Sequence, residues 1–235
     1  MIVYESSDWH IYPDGLSWQV KNWITEGKKE QAILIGNGDL SEFMYRRWQD
    51  FIGSTAVREL EEVLDGYPFT YIANNHDPIR FVRKVYGHIP NICIVEEKDV
   101  RVGDTLYHFE HGSRFAVDWR LLQKVNHWIA SWFPGFWLWW QNKRGRLPSQ
   151  LKDKDDRAIT EKESERYRHH IGIIWRNALR DALKRNAVTV IGHTHTYGKH
   201  ELAKGIVWVD GGDMQKDCDY LRITEQGVEH LWAVP

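Results

Sequence analysis

The feature that most constrains this chain is the stretch Val190-Ile191-Gly192-His193-Thr194-His195. Its apolar half reads as a strand buried inside a sheet, and its glycine permits the sharp turn that ends one. Histidines two apart on extended backbone project their rings to one side, and imidazole ligates borderline divalent metals well. A lone His-x-His pair also occurs as a plain surface turn. The pair gains meaning only if other strands end in ligand-type residues, and they do.

Ile2 to Glu5 reads as a short buried strand, ended by Ser6-Ser7 and followed by Asp8-Trp9-His10. A carboxylate and an imidazole at this spacing suit one metal; the plainer reading is a helix-capping Asp beside an unrelated His. Leu16, Val20, Trp23 and Ile24 recur at helical spacing and place a helix over Leu16 to Glu26. Gln31 to Ile35 is the next apolar strand, and it runs into Gly36-Asn37-Gly38-Asp39-Leu40-Ser41-Glu42. Asp39 then lies beyond a strand's carboxyl end, where open α/β sheets place their ligands. Glu42 either supports it or sits on the first turn of a helix read over 43 to 64. Tyr67 to Ala73 forms a third strand, ended by Asn74-Asn75-His76-Asp77-Pro78. Asn75 offers a neutral oxygen ligand and His76 an acid–base group. Asp77 either orients that imidazole or caps the helix that begins near Pro78. Short strands at Asn91 to Val95, Val100 to Val102 and Thr105 to Glu110 lead to His111-Gly112, with His108 read as an ordinary sheet residue. Near the C-terminus, His200-Glu201-Leu202, Ile206 to Asp210, Asp219 to Thr224 and Val228 to Val234 read as antiparallel strands joined by glycine turns.

A chain of 235 residues suits one α/β domain with an insertion, and it buries a core without staples. Its formal net charge of -2 gives no bulk electrostatic case for a polyanionic partner. Cys93 and Cys218 argue against a disulfide scaffold and fit a reducing, cytoplasmic compartment. Met1-Ile2-Val3-Tyr4-Glu5 enters a strand directly, without a basic leader. No segment reaches the roughly 20 apolar residues of a spanning helix.

Collected, the strand-end residues are Asp8, His10, Asp39, Asn75, His76, His111, His193 and His195. Seven oxygen or nitrogen ligands beside His76 exceed the needs of one ion and suit two adjacent metals. The ordered blocks Asp8-x-His10, Gly38-Asp39-x-x-Glu42, Asn74-Asn75-His76-Asp77, His111-Gly112 and Gly192-His193-x-His195 resemble those of the calcineurin-like metallophosphoesterases. The resemblance implies an α/β fold, a four-layer αββα sandwich forming one domain over residues 1–235. It implies that Asp8, His10 and His195 ligate a first metal, that Asp39 bridges, and that Asn75, His111 and His193 ligate a second. The implied activity is that of a metal-dependent phosphoesterase cleaving a phosphodiester or pyrophosphate with a metal-bridging hydroxide. His76 then protonates the leaving group or binds phosphate, and Asp77 raises its pKa. Asn74 stands where the family usually has glycine. The mixed His, carboxylate and amide ligands suit two divalent ions, manganese first, with iron, zinc and cobalt also matched. The non-enzymatic alternative, a protein-binding scaffold of the same fold, sits poorly with a full ligand set.

The interval 114–186 does not read as core sheet and is taken as a helical lid insertion. Asp118 to Ile129 is helical in pattern, the run Trp128 to Trp140 is crowded with aromatics, and Lys143, Arg144 and Arg146 follow. A polar helix then covers about Thr160 to Lys184. Three readings compete for the aromatics: packing against the sheet, peripheral membrane contact through Trp128, Trp132, Trp137, Trp139 and Trp140, and base stacking on single-stranded nucleic acid. The overall layout is similar to the UDP-2,3-diacylglucosamine pyrophosphohydrolases, whose insertion is a lid over acyl chains at a membrane surface. Those enzymes typically carry Arg where this chain has His76 and an acidic residue where it has Ser113, so the similarity is one of architecture. A nuclease-type phosphodiesterase is the other alternative. Substrate-binding residues are not assigned; Arg80 and Arg114 are the nearest basic candidates by sequence.

Overall fold

A computed structural model describes residues 1–43, 46–74, 76–115, 161–202 and 205–233. Strands and amphipathic helices alternate through its first part: β1 (Val3–Ser6), α1 (Trp18–Lys29), β2 (Ile33–Asn37), α2 (Thr55–Leu64), β3 (Phe69–Ile72), α3 (Ile79–Tyr86) and β4 (Ile92–Val95). Ser17 and Ser54 start α1 and α2 by accepting the backbone N–H of Val20 and Val57 on their hydroxyls. Each helix returns the chain to the same edge, so β1 to β4 pair in parallel. The chain continues through β5 (Lys98–Val102), β6 (Thr105–Phe109), α4 (Glu161–Arg185), β7 (Val188–Ile191), β8 (Gly198–Leu202), β9 (Gly205–Asp210), β10 (Asp219–Thr224) and β11 (Gly227–Trp232).

Two sheets result, a six-stranded one in the order β11-β10-β1-β2-β3-β4 and a five-stranded one in the order β5-β6-β7-β9-β8. They pack face to face: Val3, Ile35, Ile72 and Leu221 of the first meet Val100, Tyr107, Phe109, Val190 and Val209 of the second. The opposite face of the six-stranded sheet is covered by Trp23, Ile24, Leu60, Leu64, Val82 and Val85 of α1 to α3. The opposite face of the five-stranded sheet is covered by α4, whose Ile174 and Ala178 pack on Ile191 and Trp208. The described residues therefore build the four αββα layers that the motif blocks imply.

Three details differ from the sequence reading. β2 starts at Ile33 rather than Gln31, because Gln31 takes a left-handed φ of 54° as the chain leaves α1. The helix read over 43 to 64 is broken: a 3-10 turn covers Trp48–Phe51, Gly53 turns at φ 66°, and α2 restarts from the Ser54 cap. The C-terminal strands form two antiparallel hairpins, but β9 also runs parallel to β7 while β10 runs antiparallel to β1. Each hairpin thus completes a different sheet. Asp118 to Ile129, the Trp128 to Trp140 run, and the basic residues after it lie outside the described residues. Among the described residues no helix is long and apolar enough to cross a membrane.

Candidate metal centre

The parallel strands end at one edge of the two packed sheets, and the residues just beyond them converge there. Asp8 and His10 follow β1, Asp39 follows β2, His76 follows β3, His111 follows β6, and His193 and His195 follow β7. Asn75 lies outside the described residues. Apart from His76, which groups with His10 and Glu42, the rest fall into two groups, Asp8 with His10 and His195, and Asp39 with His111 and His193, each with one ligand atom per residue lying within 4.8 Å of the others. His195 Nε2 stands 3.4 Å from Asp8 Oδ1, and His111 Nε2 stands 3.1 Å from Asp39 Oδ2. His10 and His195 stack at 5.2 Å between ring centroids. Asp8 also ties the two groups together, since its Oδ2 accepts the backbone N–H of His193 at 3.0 Å.

The backbone here is bent in a way few residues tolerate. Asp8, His10, Asp39, His193 and His195 all have left-handed φ, between 45° and 73°. For residues other than glycine that conformation costs about 1 kcal/mol or more each, so the surrounding contacts must impose it. Close glycine approaches are part of how they do. A Cβ on Gly38, itself at φ 84°, would lie 2.5 Å from Cβ of His111. A Cβ on Gly192 would lie 2.6 Å from Cβ of Ser7 and 2.9 Å from Oδ2 of Asp8.

Three imidazoles are oriented by hydrogen bonds from the nitrogen that faces away from the site. His111 donates from Nδ1 to the Asn37 carbonyl at 2.9 Å, His10 donates from Nδ1 to Glu42 at 2.7 Å, and His195 donates from Nδ1 to Asp213 at 2.5 Å. Each bond turns Nε2 inward, the arrangement that metal-binding histidines need once that nitrogen has given up any proton. His193 is turned the other way, with its Nδ1 3.2 Å from His111 Nε2. Asp8 Oδ1, Asp39 Oδ1 and His10 Nε2 are buried and have no hydrogen-bond partner among the described residues. Unpaired buried groups of this kind are costly, and a divalent cation in each group satisfies them. The donor set therefore fits two metal ions.

Electrostatics follow from the same packing. Burial works against charge on His111, yet Asp39 and Asp8 together raise it to about 9. Burial likewise opposes the His195 cation, and Asp8 and Asp213 raise it to about 9. His193, buried beside His111, is held well below the usual histidine range. Burial favours the neutral form of Asp39, but the charges on His111, His76 and His10 outweigh it and hold the carboxyl well below its ordinary value.

His76 and Asp77 are adjacent in sequence but face different partners. His76 donates from Nδ1 to Glu42 at 3.2 Å, and its Nε2 lies 4.0 Å from Asp39 Oδ2. Burial lowers its basicity, but Asp39 and Glu42, ahead of Asp77, raise it to about 10. Glu42 thus links His10 to His76. Asp77 accepts the backbone N–H groups of Leu40, Ser41 and Asn74 and the hydroxyl of Tyr71. It clasps the β2 and β3 turns, while the His76 ring is held by Glu42. Arg114, a basic candidate by sequence, pairs with Glu110 and, at 3.2 Å, with Asp181 of α4. Arg80 lays its guanidinium over Phe81 at 4.3 Å. The N-terminal part of α4 borders the site: Tyr167 donates to the Thr194 carbonyl, and His170 lies 6.3 Å from His193 between centroids.

Two residues that serve the site carry no strong sequence signal. Asp213 follows the Gly211-Gly212 turn after β9, and its Oδ1 is fixed by the N–H groups of Gln215 and Lys216 at 2.9 and 3.0 Å. Glu5, fully buried in β1, accepts from the Asn37 side chain at 2.9 Å and is pushed up to about 8 by burial.

Sheets packed face to face between helices, with carboxylates and histidines gathered at the ends of their parallel strands, form the scaffold of a metal-dependent hydrolase. The family model for calcineurin-like phosphoesterases matches residues 1–197, and the chain belongs to that family. It is a metal-dependent phosphoester hydrolase. No curated protein matches the chain. Among solved structures it is similar to YfcE, a phosphoesterase from E. coli, at 12% identity over 100% of both chains with a TM-score of 0.47. It is also similar to an archaeal phosphodiesterase, at 11% identity over 98% of this chain and 99% of that one with a TM-score of 0.45. Vps29 of Chaetomium thermophilum gives 12% identity over 100% of this chain and 99% of that one, with a TM-score of 0.43.

Proposed function

We propose that the chain hydrolyses a phosphodiester or pyrophosphate bond at a centre of two divalent ions, with manganese as the first candidate. Asp8, His10 and His195 hold one ion, His111, His193 and Asn75 hold the other, and Asp39 is shared. Two such ions supply a hydroxide nucleophile near neutral pH and neutralise charge on the phosphate oxygens. The observation that carries this reading is the pairing of inward-facing imidazoles with buried, unpartnered oxygens of Asp8 and Asp39.

His76 is the residue best placed to handle a proton. Glu42 holds its Nδ1, its Nε2 faces the side of the site where Asp39 lies, and its side chain is 21% exposed. A cationic His76 binds a phosphate oxygen or protonates a departing alkoxide. Glu42 keeps the ring in that orientation.

The test is to strip the protein with chelator, restore manganese, and compare bis-p-nitrophenyl phosphate with p-nitrophenyl phosphate. Metal-dependent cleavage of the diester, lost in Asp39→Ala, is the expected result; preference for the monoester overturns the diester assignment. His76→Ala is expected to retain metal and to lose roughly 100-fold or more in turnover with alkoxide leaving groups. With nitrophenolate, which departs without a proton, the loss is expected to be much smaller. Equal losses on both substrates rule out the proton-donor role and leave phosphate binding.

A further inference from the structure

We propose a separate cation site on the outer face of the five-stranded sheet, formed by Glu97, His108 and Glu110. Tyr107 and Phe109 of β6 enter the core between the sheets. Alternation along the strand therefore sends His108, and Glu110 just beyond it, to the other face, where α4 packs. Both are buried, at 1% and 4% exposure.

His108 is arranged like a ligand. Its Nδ1 donates to Asp99 Oδ1 at 2.6 Å, which leaves the lone pair on Nε2. That Nε2 is buried and has no hydrogen-bond partner among the described residues. A carboxylate behind an imidazole is the arrangement that orients metal-binding histidines. Glu110 has the same half-used character: Arg114 holds one oxygen, and Oε1 is buried and unpartnered among the described residues. Glu97, half exposed, brings its Oε2 to 3.7 Å from His108 Nε2. One ligand atom from each of the three residues lies within 4.8 Å of the others.

The charge balance supports a cation. Arg114 reaches Glu110, Asp181 at 3.2 Å and Glu97 at 3.9 Å, and Arg185 reaches Asp181 at 2.7 Å and Glu97 at 3.6 Å. Among the described residues, the four carboxylates of Glu97, Asp99, Glu110 and Asp181 thus face two guanidiniums, which leaves two negative charges when His108 is neutral and Glu110, which burial pushes up to about 7, is ionised. A divalent ion cancels them. The arginines hold Glu110 and Asp181 by hydrogen bonds, and neither comes within hydrogen-bond distance of Glu97, so Glu97 can turn to an ion. One imidazole with two carboxylates suits zinc, cobalt or manganese. The ion would pin the start of β5 to the end of β6 beside α4, a structural tie rather than part of the reaction. The rival arrangement has no ion and a protonated His108 shared between Asp99 and Glu97.

Equilibrium dialysis against Zn²⁺, with bound metal counted per chain, separates the two. Glu97→Gln is expected to hold one zinc fewer than the unsubstituted chain and to keep its metal-dependent diesterase activity. His108→Gln is expected to lose the same single equivalent. Because Glu97 is half exposed, its variant decides the matter whether or not the buried His108 tolerates change. In an Asp39→Ala background, Zn²⁺ is expected still to raise the melting temperature, and adding Glu97→Gln is expected to make that rise smaller. Equal zinc counts with and without Glu97→Gln overturn the proposal and leave the protonated ion-pair network. The count is independent of the phosphoesterase reading, whose failure would show in the diester assay alone.

Discussion

His195 owes its orientation to a carboxylate 18 residues further along the chain. Asp213 is buried and its second oxygen is fixed by the turn that follows it, so the imidazole docks on an acceptor already in place. Removing it in Asp213→Ala frees the ring to rotate, and affinity at the first metal position is expected to fall about 10–100-fold. Asp213→Asn keeps an oxygen at the same place and is expected to recover part of that loss. Cobalt titration followed by visible absorption measures both, with metal-free melting as the control for the turn itself. Affinity unchanged in Asp213→Ala would show that His195 needs no such support. The proposed ligand histidines were legible as candidates in the sequence because each stands just past a strand, and the resemblance of the surrounding blocks to the family supplied their roles. Asp213 was not, because nothing in its own neighbourhood reveals that β9 pairs with β7 and so delivers the Gly-Gly-Asp turn to His195. His108 reads in sequence as an ordinary sheet residue, and only packing shows its Nε2 buried against Glu97 and Glu110. Asp77 was legible as a turn residue, but the residue that holds the His76 imidazole turned out to be Glu42, 34 positions away.

At the scale of elements, period and punctuation located the strands and helices better than they located their ends. Leu16, Val20, Trp23 and Ile24 announced α1, and α4 lies close to its expected span, because apolar spacing is a direct consequence of burying one face. The failed helix over 43 to 64 shows the limit: apolar residues recur through it, yet Gly53 and Ser54 restart the chain, and only the cap geometry shows where. The strand-end turns are the elements on which the site depends most closely. Gly192 lets β7 pass against Ser7 and Asp8 without a side chain between them. In Gly192→Ala the added methyl meets Ser7 Cβ and Asp8 Oδ2, a contact that forces one turn away from the other. Overpacking of this kind costs about 1–3 kcal/mol, and denaturant unfolding of the metal-free variant is expected to show it as a lowered midpoint with little change in slope. The same shift moves Asp8 relative to His193, so metal affinity is expected to fall too. A variant with an unchanged midpoint would mean that the turn relaxes freely and that its glycine is not required.

Over the whole molecule, the proposed metal centre joins the two sheets. Asp8, His10 and Asp39 come from the six-stranded sheet, while His111, His193 and His195 come from the five-stranded one. Ions bound between them would act as cross-links that favour the folded state alone. At concentrations 100-fold above each dissociation constant, an ion adds about 2.7 kcal/mol. For two ions in a chain of this size the corresponding rise in melting temperature is roughly 10–20 °C. The gain must depend on pH, and the sign follows from the histidines. His111 and His195 are raised to about 9 in the metal-free fold by Asp39, Asp8 and Asp213, against the opposing effect of burial. At neutral pH both carry a proton that an entering ion has to displace, so ion binding strengthens as pH rises towards about 9 and weakens as pH falls. Each displaced proton makes affinity change about tenfold per pH unit. At a fixed, limiting manganese concentration, the melting-temperature gap between metal-loaded and chelated protein is therefore expected to be wide near pH 8 and narrow near pH 6. Calorimetric titrations in buffers of different ionisation enthalpy provide the direct count of protons released on binding. A gap that stays constant across that range, with no proton release, would show that both imidazoles are already neutral before the ions arrive.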